Sequence, residues 1–290
     1  MHPTVTGTLT TPVPGRIVRT LRRRYGGDVA TSIADYEDRF ETVRFERSDG
    51  ILQVTFHTDG GSLRWGAAPA TEMQEAFRAI ADDPDNRVVI VTGAGDEFNG
   101  PKGSPASLPR ASARSWEAAH WNVRRLLMNF LDIEAPVITA LNGPVWRHCE
   151  TPLLADIVLA SSTTIIQDSG HFVNGLAPGD GMHLVTQLIM GTTRARYFML
   201  TGQEITADQA LDIGIVNEVL APEAVLPRAW ELARQLAQKS PLVLRYTKVA
   251  FVHDIKQRIL ASQGYGLLLE GMAAIDDTRE GGGYDLPGRF

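Results

Sequence analysis

The chain has 290 residues, 43% of them apolar, with 28 Lys and Arg against 34 Asp and Glu. That length allows one large or two modest domains with a sizeable core, and its ordinary aromatic and charged content excludes wholesale disorder. The single cysteine, Cys149, excludes an internal disulfide framework and a cysteine-built zinc site, and no apolar run approaches the ~18 residues of a membrane span; a reducing, cytoplasmic compartment is expected.

In chain order, residues 1–36 read as a flexible basic extension rich in Thr, Pro and Gly. Its first 27 residues carry Arg16, Arg19, Arg22, Arg23 and Arg24 and no acid, and 16–25 has the makings of a short basic helix. The rest then holds 23 bases against 34 acids, a net −11 over residues 28–290. Such an acidic body argues against a nucleic-acid groove. Ile51–His57 and Arg87–Thr92 read as buried strands, and Ala70–Ala81 between them as a helix with Met73, Phe77 and Ile80 on one face. Ser115–Leu131 is a second helix. Pro136–Leu141 is a strand running into the Asn142-Gly143 turn, and Ala155–Ala160 and Thr164–Gln167 are two more strands. This alternation implies crossover units in an α/β fold. Helices follow at Ala207–Ile213, Pro222–Gln238, Pro241–His253 and 256–276, and 279–290 reads as a loose Gly-rich tail.

Three segments carry a family resemblance: RVVIVTGAGDEFNG (87–100), PVITALNGPVWRHCETPLLADIVLAS (136–161) and GLAPGDGMHLVTQLIMGTTRARYFMLTGQEITADQALDIGIVNEVL (175–220). Together they resemble the crotonase (enoyl-CoA hydratase/isomerase) superfamily over about residues 40–276. The resemblance implies a spiral core of ββα turns over 37–220 and a C-terminal helical oligomerisation region over 221–278 that builds homotrimers, often paired into hexamers. It also implies an oxyanion hole of two backbone N–H groups. The first maps to Gly100 and the second near Arg147–His148. CoA-dependent members usually carry a Gly-Gly-Gly run at the second place; here it reads Trp146-Arg147-His148-Cys149, and Pro101 and Lys102 follow Gly100.

HFVNGLAPGDG (171–181), WRHCETPLLADIVLA (146–160), LLLEGMAAID (267–276) and the early Trp65 resemble more narrowly the 6-oxocamphor hydrolase branch of the superfamily. That branch cleaves a carbon–carbon bond of a cyclic β-diketone without CoA. The resemblance implies a His171–Asp180 pair that activates water, with Glu270 as a further catalytic group. His148 and Trp65 would bind substrate carbonyls, and neither metal nor organic cofactor is needed. The expected reaction is a retro-Claisen hydrolysis of a neutral, largely apolar cyclic diketone, a bicyclic one above all, to a keto acid, with no nucleic-acid or membrane partner.

The chemistry suits these residue types. Histidine titrates near neutrality, and a carboxylate on its other nitrogen fixes the tautomer. Asp180 lies nine residues past His171, across the Gly175–Gly179 turn; Asp168, three residues before it, is an alternative partner that spacing leaves open. Structural readings stand beside each role. His171 or His148 could bond backbone groups, Trp65 could pack in the core, and Glu270, set among Leu267, Leu268, Leu269 and Met272, could pair across a subunit interface. Glu150 stands where family hydratases carry one of their acids and reads as structural. Three rivals remain: a CoA-dependent hydratase or isomerase, a biosynthetic enzyme acting on a natural-product diketone, and a non-catalytic crotonase-like protein tethered by its basic arm.

Overall fold

The structure, a computed structural model, describes residues 32–103 and 112–276. The expected basic arm with its short helix at 16–25, and the Gly-rich tail, fall outside these residues.

A six-stranded sheet forms the centre. It comprises β1 (Val43–Ser48), β2 (Ile51–Phe56), β4 (Val88–Gly93), β6 (Val137–Leu141), β7 (Ile157–Ser161) and β10 (Glu218–Leu220), in that spatial order. The β1–β2 hairpin is antiparallel and every other pairing is parallel. Parallel strands need crossovers, and α1 (Ala67–Asp82) and α2 (Ala113–Leu131) supply them after β2 and β4. Because both faces are covered, β2, β4 and β6 are apolar nearly throughout. Alternate residues separate cleanly. Ile51, Val88, Ile90, Ile138 and Leu159 pack on Val225, Ala229 and Ala233 of α7 (Pro222–Ala237), whereas Leu52, Val54, Val89 and Val91 join the larger core with Phe56, Phe77 and Phe130.

Two smaller pairings position the site. Strands β3 (Leu63–Arg64) and β5 (Asn99–Gly100) run parallel, and the Trp65 N–H donates to the Gly100 carbonyl at 2.8 Å. Strand β8 (Ile165–Ile166) pairs with β9 (Ile205–Thr206). Short helices fill the remainder: α3 (Glu150–Leu153), α4 (Met182–Met190), α5 (Thr192–Thr201) and α6 (Ala207–Asp212).

The structure departs from the sequence reading in several places, among them the helices α4 and α5, which the reading did not include. The hairpin strand β1 was not anticipated, although its burial alternates. The two-residue strands β3 and β5 are too short to leave a periodic signal. The helices expected at Pro241–His253 and 256–276 form a single helix, α8 (Pro241–Asp276), because no proline or glycine interrupts His253–Lys256. No helix among the described residues is long and apolar enough to cross a membrane.

Helix α8 reaches the site through a close backbone approach. A Cβ on Gly266 would lie 2.5 Å from the Gly179 carbonyl oxygen, and one on Gly179 would lie 2.9 Å from Glu270 Cβ. Glycine at both positions lets the helix rest directly on the Pro178–Asp180 turn. Gln263 Nε2 donates to the Asp180 carbonyl at 2.6 Å, and Trp116 Nε1 of α2 donates to the Leu267 carbonyl at 2.9 Å. Replacing Gly266 with alanine is expected to overpack this contact by about 1–3 kcal/mol. Melting would then fall by about 2–4 °C per kcal/mol, and an unchanged melting temperature would contradict the seating described.

Candidate active site

Residues 145–150, where the family resemblance puts the second oxyanion donor, are fixed by main-chain bonds. The Val145 N–H donates to the Ile165 carbonyl at 2.7 Å and the Trp146 N–H to the Asn99 carbonyl at 3.2 Å. Asn99, buried in β5, clamps the next residue with both ends of its amide: Oδ1 accepts the Arg147 N–H at 3.1 Å and Nδ2 donates to the Arg147 carbonyl. Three consecutive N–H groups are thereby consumed. The Gly100 main chain is likewise tied to β3, where it holds Trp65 in place. What this segment presents is a side chain, that of His148.

His148 sits at φ +48°, a left-handed conformation that costs a non-glycine residue on the order of 1 kcal/mol. That backbone turn carries its ring into the site, where Trp65 stacks on it at a centroid distance of 4.0 Å. His148 Nδ1 lies 3.2 Å from Glu150 Oε1 and 2.9 Å from Asp180 Oδ2.

His171 begins a single 3-10 turn after β8 and is buried. Its Nδ1 makes a 2.8 Å hydrogen bond with Asp168 Oδ1. Its Nε2 lies 3.3 Å from Asp180 Oδ2 and 3.6 Å from Glu270 Oε1. Asp180 Oδ2 therefore stands between both imidazoles; these are close charge contacts, not aligned hydrogen bonds. The two rings meet edge to face at 5.5 Å.

The structure thus brings together His171, Asp180, Glu270, His148 and Trp65, with Gly100 supporting Trp65 from behind. Three contributors were missed or underrated. Asp168 takes the nitrogen that the sequence reading gave to Asp180. Glu150, read as structural, touches the His148 ring. Asn99 clamps the loop; its position beside Gly100 was visible, but an amide that bonds backbone 48 residues away leaves no local pattern.

The electrostatics follow from burial and mutual charge. Burial alone opposes charging a histidine, yet the neighbouring carboxylates prevail. Glu150 and Asp180 raise His148 to about 9, and Asp180 and Asp168 hold His171 well above the usual histidine value. Asp180 is buried, but the two imidazoles hold it well below the ordinary aspartate value. Burial and the Asp180 charge push Glu270 up to about 8, and burial with Asp180 also raises Glu150. The mutual charges thus favour the imidazolium form of both histidines and the ionised form of Asp180, while burial favours the protonated form of Glu270. Two sets, His148–Glu150–Asp180 and His171–Asp180–Glu270, hold their ligand-type atoms within 4.8 Å and could share a cation. The imidazoliums already supply the positive charge these carboxylates need, so a metal would have to displace their protons.

Beside this charged cluster lies an apolar cleft. Phe56, Met73, Phe77, Val91, Phe98 and Phe130 line it, and Trp65, His148, Asn99 and Thr151 complete it.

A family model described as enoyl-CoA hydratase/isomerase matches residues 46–277. The chain belongs to that family. The crotonase superfamily is also what its solved relatives display. A β-diketone hydrolase from the cyanobacterium Anabaena sp. PCC 7120, bound to (S)-3-oxocyclohexyl acetic acid, is 42% identical, with a TM-score of 0.80 over 83% of this chain and 97% of that one. An enoyl-CoA hydratase/isomerase from Mycobacterium paratuberculosis, 23% identical with a TM-score of 0.74 over 83% and 96%, shares the fold. Among curated relatives, carnitinyl-CoA dehydratase of Salmonella arizonae is 31% identical over 72% of this chain and 79% of its own. Crotonyl-CoA hydratase of Syntrophomonas wolfei is 29% identical over 83% and 94%. Where a CoA-dependent crotonase is expected to run through glycines, this member keeps a glycine-like backbone at His148 and adds an imidazole.

If Glu270 is protonated at rest, Glu270→Gln changes neither charge nor shape at neutral pH. Its melting temperature at pH 6.5 should match that of the native chain. The infrared band of a protonated carboxyl should fade in the native chain as pH rises through about 8 and be missing from the variant. A band with the same pH response in both would contradict the assignment.

Proposed function

We propose that the protein hydrolyses a carbon–carbon bond of a cyclic, largely apolar β-diketone by a retro-Claisen reaction that yields a keto acid. One observation carries the reading: two imidazoles flank a single buried carboxylate at the edge of an apolar cleft, with Glu270 beside His171 Nε2. The 42%-identical neighbour named as a β-diketone hydrolase supports the same substrate class.

With Nδ1 of His171 committed to Asp168, Nε2 is the nitrogen free to take a proton from water. Hydroxide adds to one ring carbonyl. As the tetrahedral intermediate collapses, the carbon–carbon bond breaks and its electron pair becomes the enolate of the second carbonyl. His148 is held through Nδ1, so its Nε2–H is available to that oxygen, and the stacked Trp65 contributes a donor-only indole N–H. Glu270 protonates the enolate carbon, and the proton taken from water returns from His171 to Glu270 across 3.6 Å. The sum is the addition of one water. Side chains and solvent supply every group the sequence of steps uses.

The proposal includes a homotrimer, or a pair of trimers, built on α8. Its exposed Tyr246, Phe251, Tyr265, Leu268 and Met272 form apolar surface of the kind that subunits bury. Sedimentation of the full chain should give a mass three or six times 31.7 kDa; a monomer would refute this part.

The native chain should open cyclic β-diketones without added CoA, and His171→Ala should lower kcat by about 100-fold or more. A variant that cleaves at the native rate, or a native chain that turns over crotonyl-CoA and leaves diketones intact, would overturn the reading. The base must first lose the proton that its carboxylates hold on it. kcat/KM should therefore rise with pH, with its half-point above the ordinary histidine value of 6.5. A half-point at or below that value would contradict the charge arrangement.

A further inference from the structure

We infer that Asp168 is the residue that positions His171: it fixes which imidazole nitrogen works, leaving Asp180 as the counter-charge that His171 and His148 share. The inference rests on the proposed role of His171 and adds a residue to it.

Three observations carry it. First, the 2.8 Å contact between His171 Nδ1 and Asp168 Oδ1 is an aligned hydrogen bond, whereas Asp180 faces the opposite nitrogen at 3.3 Å without that alignment. Second, Asp180 is already divided, since Oδ1 accepts the Met182 N–H at 3.1 Å and Oδ2 stands nearer to His148 than to His171. It cannot serve one ring alone. Third, Asp168 is rigidly placed and buried. Its Oδ1 also accepts the Gly170 N–H at 3.1 Å. Residues on either side are pinned to the oxyanion segment, Gln167 N–H to the Val145 carbonyl at 3.1 Å and Ser169 N–H and Oγ to the Trp146 carbonyl at 2.9 and 2.7 Å. Asp168 Oδ2 has no hydrogen-bond partner; the buried Arg147 guanidinium, which donates to the Pro101 carbonyl at 3.1 Å and to that of Gly103, acts on it through charge.

A carboxylate accepts only from Nδ1–H, which leaves Nε2, on the side of Asp180 and Glu270, as the basic nitrogen. An asparagine can instead donate to Nδ1 and drive the proton onto Nε2, so the base is lost although the shape is kept. The groups facing His171 from all sides are Asp168, Asp180, His148, Glu150 and, from α8, Glu270.

The test compares Asp168→Asn, Asp168→Ala and His171→Ala on a cyclic β-diketone. Both Asp168 variants should lose about 100-fold or more in kcat, with KM within about threefold of native. The residual activity of Asp168→Asn should have its acid-side half-point at lower pH, since one carboxylate charge is gone. In the native chain, at a pH above the half-point of kcat/KM where the ring is neutral, imidazole nitrogen NMR should show Nδ1 of His171 protonated, with its proton strongly deshielded, and Nε2 bare. That signal needs no variant to fold. Native kcat and an unshifted pH profile in Asp168→Asn, alongside an inactive His171→Ala, would overturn the inference and leave the catalytic reading standing. So would an unprotonated Nδ1 in the native chain. A fully active His171→Ala would remove the reading beneath it, and the inference with it.

Discussion

Everything at this site depends on one shared anion. Asp180 is buried and touches two imidazoles at 2.9 and 3.3 Å. An isolated carboxylate so far from water would give up its charge. Here it keeps the charge because two cations stand against it, and each histidine keeps its proton because Asp180 and a second carboxylate stand against that. The charges of the cluster can be understood only together. Truncating one member would strand the others, which is the costly event in a buried ionic group.

The fold serves this arrangement by bringing distant chain segments to one point. The β8 end delivers Asp168 and His171, the Pro178–Asp180 turn delivers Asp180, the clamped loop delivers His148, and α8 delivers Glu270. Close packing makes the placement specific. Gly179 and Gly266 allow two backbones to touch, Asn99 ties β5 to the loop after β6, and the Gly100 carbonyl fixes Trp65. On the far side, aromatic and aliphatic side chains of the central core form the cleft wall. A site with one wall of fixed charge and one wall of hydrocarbon favours a neutral ring that develops negative charge only as it reacts.

Much of this could be read from the chain beforehand, and the reasons are physical. The strands β2, β4, β6 and β7 are buried on both faces and announce themselves as apolar runs, and α1 and α2 carry helical periodicity. The family segments placed His171, Asp180, His148, Trp65 and Glu270 in one site, and the structure gathers all five. What escaped were relations that sequence spacing does not encode. Asp168 and Asp180 were both near enough to pair with His171. Which nitrogen each would face depends on the turn after β8 and on how α8 presses on Gly179. The left-handed backbone at His148 and the amide clamp of Asn99 are equally invisible in one dimension. Continuity of α8 was misjudged for a simpler reason: a polar interval at His253–Lys256 looks like a break, although nothing there stops a helix.

The central claim is that this crotonase relative adds water across a carbon–carbon bond. Its most direct test is cleavage of a cyclic β-diketone by the native chain in ¹⁸O-labelled water, with mass analysis of the product. The account predicts a ring-opened keto acid heavier than the substrate by one labelled water, with the label in the new carboxylate. Recovery of intact diketone under conditions where the same preparation hydrates an enoyl-CoA thioester would contradict it.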